Sequence, residues 1–195
     1  MAKNADRTEK TRGDIVDAAV RLFGKHGFAA VSTPMLADEA GVSRGAIYHH
    51  FASKAAILEA AVETELTRIA QLIDQSGSEA SDPLEQLVEG GDAFLRAMTS
   101  PTARQIILID GPAVLGPQRI NEIDAATTSS ELTAGILHAQ EAGRLPRDIN
   151  AAALTSLMTG AYDRAAIDGH AASEESALAA AQAIRALWFG LSRLA

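Results

Sequence analysis

The sequence predicts an all-α protein with a three-helix head that contains a helix-turn-helix, plus a larger helical body, about nine helices in total. Alanine and leucine dominate its apolar residues and runs of β-branched residues are few, which favours helices over sheets. Apolar positions also recur at helical spacing between breaks that contain glycine, proline and serine. Hydrophobic residues make up 47% of the 195 residues, enough to build a core.

The composition excludes several classes of function. With no cysteine there is no disulfide, thiolate zinc site or thiol nucleophile. We find no nucleophile motif, glycine-rich phosphate loop or cluster of residues at metal-ligand spacing, so we predict neither an enzyme nor a cofactor. The polar stretch Met1–Arg12 is no secretory signal, and the apolar stretches are too short for a membrane span. We therefore expect a cytoplasmic protein.

Charge is distributed unevenly along the chain. The net charge is −8, yet residues 1–54 carry eight basic and six acidic side chains. The remaining residues carry nine basic and nineteen acidic groups, and no lysine follows Lys54. This asymmetry is typical of a small DNA-binding module joined to an acidic body. We accordingly predict a domain boundary after residue 55, with domains 1–55 and 56–195.

The head contains three predicted helices. The first spans about residues 9–25. The second begins near Pro34, because proline is tolerated in a first turn and Ser32 or Thr33 can cap it, and it ends at Gly41. The third spans residues 43–51 and follows a tight turn at Gly41, where glycine permits the positive φ that the turn needs.

The third helix has two different faces. Ser43 can cap it, and Ile47 and Phe51, four residues apart, are expected to pack inward. The residues left on the outside are Arg44, Gly45, Tyr48 and His49. Small residues together with arginine, tyrosine and histidine suit a close approach to DNA.

The body follows a fourth helix from Ser53 to about Ile73 and a polar break at residues 75–83. We predict a turn at Asp110-Gly111-Pro112. Further helices are predicted at residues 84–98, 102–109, about 117–143, 150–168 and 174–194.

The head also resembles a known family. The run AVSTPMLADEAGVSRGAIYHHFASKAAIL (Ala30–Leu58), together with DIVDAAVRLFGKHGF (Asp14–Phe28) before it, resembles the DNA-binding domain of the TetR family of bacterial regulators. The resemblance implies a homodimer that binds double-stranded DNA at a palindromic operator. It also implies a divergent ligand-binding body and repression that a small molecule relieves.

The resemblance assigns roles to individual residues. Tyr48 matches the tyrosine that contacts phosphate from the recognition helix, and Lys54 is expected to share one phosphate with the dipole of the fourth helix. The predicted DNA-binding residues are Thr33, Ser43, Arg44, Gly45, Ala46, Tyr48, His49, His50 and Lys54. Pro34 departs from the family, in which this position is often polar or basic, so one possible contact is missing.

The body gives weaker signals. The run RQIILIDGPAVLG (Arg104–Gly116) is similar to a family segment that joins the helix transmitting ligand state to one that lines the pocket. We predict an apolar effector and take as candidate ligand-binding residues Phe94, Met98, Ile106, Ile109, Asp110, Met158, Tyr162 and Asp163. These residues are alternatively core, and Asp163 alternatively pairs with Arg164 or with an arginine across a subunit boundary.

The last helix carries a stripe expected at a dimer interface, formed by Ile184, Leu187, Trp188 and Leu191. Two other functions stay open at this stage. One is a small helical enzyme with a vestigial DNA-binding head, for which turnover in a substrate screen would be needed. The other is a DNA-binding interaction adaptor without an inducer.

Overall fold

A computed structural model of the chain describes the backbone of residues 2–77, 81–172 and 174–195, and the side chains of residues 7–76, 81–168 and 178–195. Every regular element within these ranges is helical, which confirms the predicted all-α class. The elements are α1 (Ala2–His26), α2 (Thr33–Ala40), α3 (Arg44–His50), α4 (Lys54–Gly77), α5 (Pro83–Ala97), α6 (Pro101–Arg104), a π-helical segment (Gln105–Asp110), α7 (Gly111–Leu115), α8 (Pro117–Ala125), α9 (Thr128–Glu141), α10 (Ala151–Ala172) and α11 (Glu174–Ser192).

The chain divides into two compact units. The first, here called the head unit, contains the chain up to Glu65 together with Pro101–Asn121. The second, here called the body unit, contains Leu66–Ser100 and Glu122–Ala195. The division falls within α4. The head unit is therefore larger than the three helices of the predicted head, because it also takes in the segment 101–121.

In the head unit, α1 packs against α2, α3, α6 and the π-helical segment. The turn between α2 and α3 has the predicted form, since Gly41 adopts a left-handed conformation with φ 66°. Ser32 caps α2 by accepting from the Met35 amide, and Ser43 caps α3 by accepting from the Ala46 amide. The buried residues at its centre include Ile15, Phe23, Leu36, Ile47 and Phe51.

In the body unit, α10 packs against α5, α9 and α11. The helices α5 and α10 approach closely at Gly91, where an added Cβ would lie 1.9 Å from the Tyr162 hydroxyl. The Tyr162 ring packs edge-on against Phe94 at a centroid distance of 6.0 Å. Its hydroxyl accepts a 3.0 Å hydrogen bond from Trp188 Nε1. Because glycine has no Cβ, Gly91 permits this close approach of α5 to α10.

The predicted turn at Asp110-Gly111-Pro112 is wrong, because the backbone there is helical. Proline lacks an amide hydrogen and its ring displaces the carbonyl four residues earlier, so a regular α-helix is disfavoured around it. The chain adopts the wider π-helical turn ahead of Pro112 instead, and Gly111 donates its amide to the Ile106 carbonyl five residues back. The helix thus continues through the proline.

The single long helix predicted over residues 117–143 is also wrong. It is divided into α8 and α9 by a turn at Ala126 and Thr127, whose amides bond three residues back. Thr127 Oγ1 donates to the Ile123 carbonyl, and Asp124 accepts from the hydroxyls of Thr128 and Ser129. Such short-range bonds from aspartate, serine and threonine compete with helical ones and here end α8.

Candidate nucleic-acid interface

The outer face of α3 is the candidate interface. Its inner face is anchored as predicted, since Ile47 and Phe51 are buried. Arg44, Gly45, Tyr48 and His49 are exposed, whereas Ala46 and His50 are half-buried. The His49 and His50 rings lie edge to face with centroids 5.3 Å apart. Over the side chains that the structure describes, no three histidine, aspartate or glutamate residues are grouped to hold a metal.

Two hydroxyl groups meet on this face. Tyr48 is 63% exposed, and its hydroxyl lies 3.2 Å from Thr33 Oγ1, the first residue of α2. Either group can donate to the other. The caps at Ser32 and Ser43 fix the starts of the two helices that carry them. When one hydroxyl donates to the other, the proton of the second remains available for an outside acceptor such as a phosphate.

Lys54 makes contacts that the sequence did not predict. Its Nζ donates to the carbonyls of Phe28 at 2.9 Å and Val31 at 2.8 Å, and lies 4.0 Å from the centroid of the Phe28 ring. An ammonium group has three donors, so one is left for a phosphate. The expected phosphate contact of Lys54 stays a prediction, and the residue also holds the connection between α1 and α2.

Three of the candidate ligand-binding residues lie in the head unit. Ile106 is buried and Ile109 is half exposed. Asp110 is committed to the backbone, since its Oδ2 accepts a 2.7 Å hydrogen bond from the Phe28 amide. No sequence signal joins these two positions, which lie 82 residues apart.

The other five candidates lie in the body unit. Phe94, Met98, Met158 and Tyr162 are buried. Burial raises the pKa of Tyr162 to about 12, against the opposing effect of the hydrogen bond from Trp188. The body unit also contains a groove of about 270 Å³ that the sequence analysis missed. It is lined by Thr67, Ala70, Gln71, Asp74, Ala126, Thr127, Ser130 and Glu131. None of the candidates lines that groove.

Asp163 is not paired with Arg164 as one reading of the sequence predicted. Arg164 bonds Asp168, four residues on in the same helix, at 2.7 Å. Burial and, to a smaller extent, the negative charge of Asp124 together raise the pKa of Asp163 to about 7. Asp163 is therefore a partly buried carboxyl that faces another carboxylate.

The four residues of the predicted dimer stripe differ in their burial within the single chain. Ile184 and Trp188 are enclosed by the chain itself, so their burial requires no second copy. Leu187 is exposed and Leu191 is half-buried. Within the stripe, only these two leucines present surface.

Two family models match this chain. The one described as "Bacterial regulatory proteins, tetR family" matches residues 15–61. The one described as "Tetracyclin repressor-like, C-terminal domain" matches residues 84–191, more than half of the chain. The chain belongs to the TetR family. These matches confirm that the head resembles the TetR family. They also show that the similarity to this family continues into the body.

Comparison with individual proteins supports the family assignment. The chain is 35% identical to the A-factor receptor protein of Streptomyces griseus over 136 residues, which are 68% of this chain and 47% of that one. It is 32% identical to the transcriptional repressor AcnR of Corynebacterium glutamicum over 72 residues, 37% of this chain and 38% of the relative. The matched region spans less than half the length of both relatives. The family is one of bacterial regulatory proteins and AcnR is named a transcriptional repressor, in agreement with the prediction that the chain is not an enzyme.

A solved TetR-family regulator from Pectobacterium atrosepticum aligns with a TM-score of 0.80 and 26% identity, covering 95% of this chain and 96% of that one. This similarity extends over head and body alike. Among the described helices of the present chain, none is long and apolar enough to cross a membrane.

Proposed function

We propose that this TetR-family chain is a cytoplasmic, sequence-specific repressor that binds a palindromic operator as a homodimer and is released by a small-molecule ligand. The observation that carries the proposal is the exposed face of α3, whose Tyr48 hydroxyl lies beside Thr33 of α2. Membership of a family of bacterial regulatory proteins supports the same function.

In this proposal α3 enters the major groove of DNA. Arg44 is exposed at its first position and can reach a base edge or a flanking phosphate, while Gly45 and Ala46 allow a close approach. Tyr48 and Thr33 bind the phosphate backbone. Two copies of α3, held about 34–36 Å apart in a dimer, would meet successive major grooves of a palindrome.

Binding is tested first by selecting genomic fragments with the purified protein and measuring affinity for the best fragment and for random DNA. Weak binding that is equal on both would contradict the proposal. Sequence-specific binding by a protein of dimeric mass, lost on addition of a compound, is the expected result.

The contact at Tyr48 is tested by Tyr48→Phe and Thr33→Val. Each removes one hydroxyl, so we expect affinity for all sequences to fall about fivefold, from the loss of about 1 kcal/mol. The salt dependence should change little because no cation is lost, whereas Arg44→Met should lower the salt slope by about 0.9 if Arg44 neutralises a phosphate. Thr64→Val is the matched control, since the Thr64 hydroxyl only donates to the Ala60 carbonyl within α4. Unchanged affinity of Tyr48→Phe would argue against the contact.

The ligand is proposed from a relative and from the apolar candidates in the sequence. The printed name of the A-factor receptor protein describes a receptor, and this supports a small-molecule effector here. An apolar effector would be held by side chains among the eight candidates. A screen of apolar compounds by thermal shift, followed by DNA release, tests it. Compounds that raise the melting temperature but never release DNA would favour an adaptor without an inducer.

A further inference from the structure

The short connection between α1 and α2, residues 27–32, is held by charged side chains from two distant parts of the head unit. Lys54, at the start of α4, binds its carbonyls at Phe28 and Val31. Asp110, at the end of the π-helical segment, binds its amide at Phe28. The connection is therefore held through one backbone amide and two backbone carbonyls.

The hydrogen bond that Asp110 accepts is short and charge-assisted. The Phe28 amide lies 2.7 Å from Asp110 Oδ2. The preceding Gly27 has φ 76°, and a Cβ added there would lie only 3.9 Å from the same oxygen. Hydrogen bonds from a backbone amide to a carboxylate are stronger than those between neutral groups. Asp110 thus fixes the backbone just after α1 has ended.

The segment that carries Asp110 is itself closely attached to the head helices. A Cβ added at Gly24 of α1 would lie 2.3 Å from Thr102 Cγ2, which shows how closely α1 and α6 approach. Arg119, near the other end of the segment, forms a 2.6 Å ion pair with Glu59 of α4. The position of Asp110 is therefore set by contacts on both sides of it in the sequence.

The connection ends where the candidate interface begins. Ser32 is the N-cap of α2, and Thr33, its first residue, meets Tyr48 of α3. Thr33 lies only five positions after Phe28 in the sequence. A shift of the backbone at Phe28 would therefore displace the start of α2 and separate the Thr33 and Tyr48 hydroxyls.

We propose that Asp110 is a positioning residue for DNA binding, which fixes Phe28 and thereby the Thr33–Tyr48 pair. This inference rests on the proposed function. It also gives the segment 101–121 a role in operator affinity, although no residue of that segment needs to touch DNA.

The experiment compares Asp110→Ala and Asp110→Asn with the unchanged full-length protein. Asparagine retains an oxygen that can accept from the Phe28 amide, whereas alanine does not. Asp17→Ala, at an exposed position of α1, controls for the removal of one negative charge. Three quantities are measured: hydrogen exchange of the Phe28 amide by NMR without DNA, affinity for the selected operator, and the salt slope of that affinity.

For Asp110→Ala we expect faster exchange at Phe28 and about a tenfold loss of operator affinity, as for a hydrogen bond to a charged group. The salt slope should stay unchanged, because no phosphate contact is removed. Asp110→Asn should retain most of the protection and affinity. The control should keep the exchange rate and should not lose affinity.

The proposal is overturned if Asp110→Ala binds the operator like the unchanged protein, if Phe28 exchange is unaffected, or if Asp110→Asn loses as much affinity as Asp110→Ala. Faster exchange throughout the head unit would also overturn it, since it would indicate general destabilisation. If the unchanged protein shows no specific DNA binding, the proposed function fails, and this inference with it. Specific binding that Asp110→Ala retains rejects this inference alone.

Discussion

Lys54 and Asp110 bind one short stretch of backbone with opposite charges. A charged side chain that forms hydrogen bonds to main-chain atoms stabilises one loop conformation. Such hydrogen bonds contribute more to stability than an exposed ion pair, which solvent screens. Both residues lie in the head unit, at positions far from Phe28 in the sequence. Their effect is on the geometry of the loop as well as on its stability.

Lys54→Met removes two hydrogen bonds while keeping the length of the side chain. We expect the free energy of unfolding to fall by roughly 1.5–3 kcal/mol, because two carbonyls lose a charged donor. Urea denaturation followed by circular dichroism measures it. Lys25→Met, at an exposed position of α1, should change stability by less than about 0.5 kcal/mol. Equal stability of the two variants would show that Lys54 does not stabilise the loop.

Asp163 should make stability depend on pH. Its pKa is raised from an ordinary value near 4 to about 7, so the folded protein binds a proton that the unfolded chain has released over this interval. The free energy of unfolding therefore falls as pH rises from about 4 to 7 through this group. Asp163→Asn should lose this dependence and be more stable by roughly 1–4 kcal/mol at pH 8. Melting temperatures at pH 5 and pH 8 test it, and Asp168→Asn, in the exposed pair with Arg164, is the control.

At the scale of elements, two glycines allow helices to approach more closely than an alanine would permit. Gly24 brings α1 against Thr102 of α6, and Gly91 brings α5 against Tyr162 of α10. In both places the neighbour is a side chain of limited freedom: a β-branched threonine, or a buried tyrosine that is hydrogen-bonded to Trp188. These contacts join elements that the sequence pattern alone does not pair.

Gly91→Ala should destabilise the body unit. The added Cβ would lie 1.9 Å from the Tyr162 hydroxyl, so α5 and α10 must separate or the tyrosine must move, at a cost of roughly 1–3 kcal/mol. Gly160→Ala is the control, because nothing lies within 4 Å of a Cβ at that helical position. It should be neutral or stabilising by up to about 1 kcal/mol. Denaturant titration distinguishes the two, and a Gly91→Ala variant as stable as the control would contradict the close packing.

Local chemistry made the helix-turn-helix predictable. The left-handed Gly41, the caps at Ser32 and Ser43 and the inward Ile47 all follow from residue type and spacing. The start of α1 did not, because the apolar period begins only at Ile15. The helix begins at Ala2, and its residues 7–14 are mostly exposed, with a pair of Lys10 and Asp14 four residues apart.

The exposure of the site residues could be predicted from their positions around the helix. Their hydrogen-bond partners could not be predicted, because tertiary contacts determine them. Arg44, Tyr48 and His49 lie outside as predicted because the period of α3 places them opposite its core residues. Lys54 and Asp110 find their partners 26 and 82 residues away, and no spacing rule encodes such contacts. Trp188 shows the same limit, since an apolar stripe has the same pattern whether it faces its own chain or another.

At the scale of the whole molecule, basic and acidic residues are distributed unevenly along the sequence. Residues beyond 54 carry nineteen acidic and nine basic side chains, so electrostatic repulsion from DNA is built into most of the chain. In the proposed function, the exposed α3 face provides specific contacts against that background. We expect such a distribution to favour release when those contacts are lost.

Association is expected to depend on Leu187 rather than on Trp188. Leu187 is 55% exposed in the single chain, so Leu187→Asp should leave the fold intact and yield monomers by light scattering. Leu178→Asp is the matched control, because nine residues place Leu178 roughly 180° around the same helix. Monomers from both variants would indicate a wider interface, and persistent dimers from Leu187→Asp would exclude this stripe.

The position of Trp188 has an optical consequence. It is the sole tryptophan of the chain, it is buried in the body unit, and its indole nitrogen donates to Tyr162. Excitation at the red edge of the absorption band therefore monitors the body unit alone, with emission at the short wavelengths of an apolar site. Compared with circular dichroism, which averages over every helix, this emission shows whether the two units melt together. The native chain thus carries its own reporter for the body unit, without an attached dye.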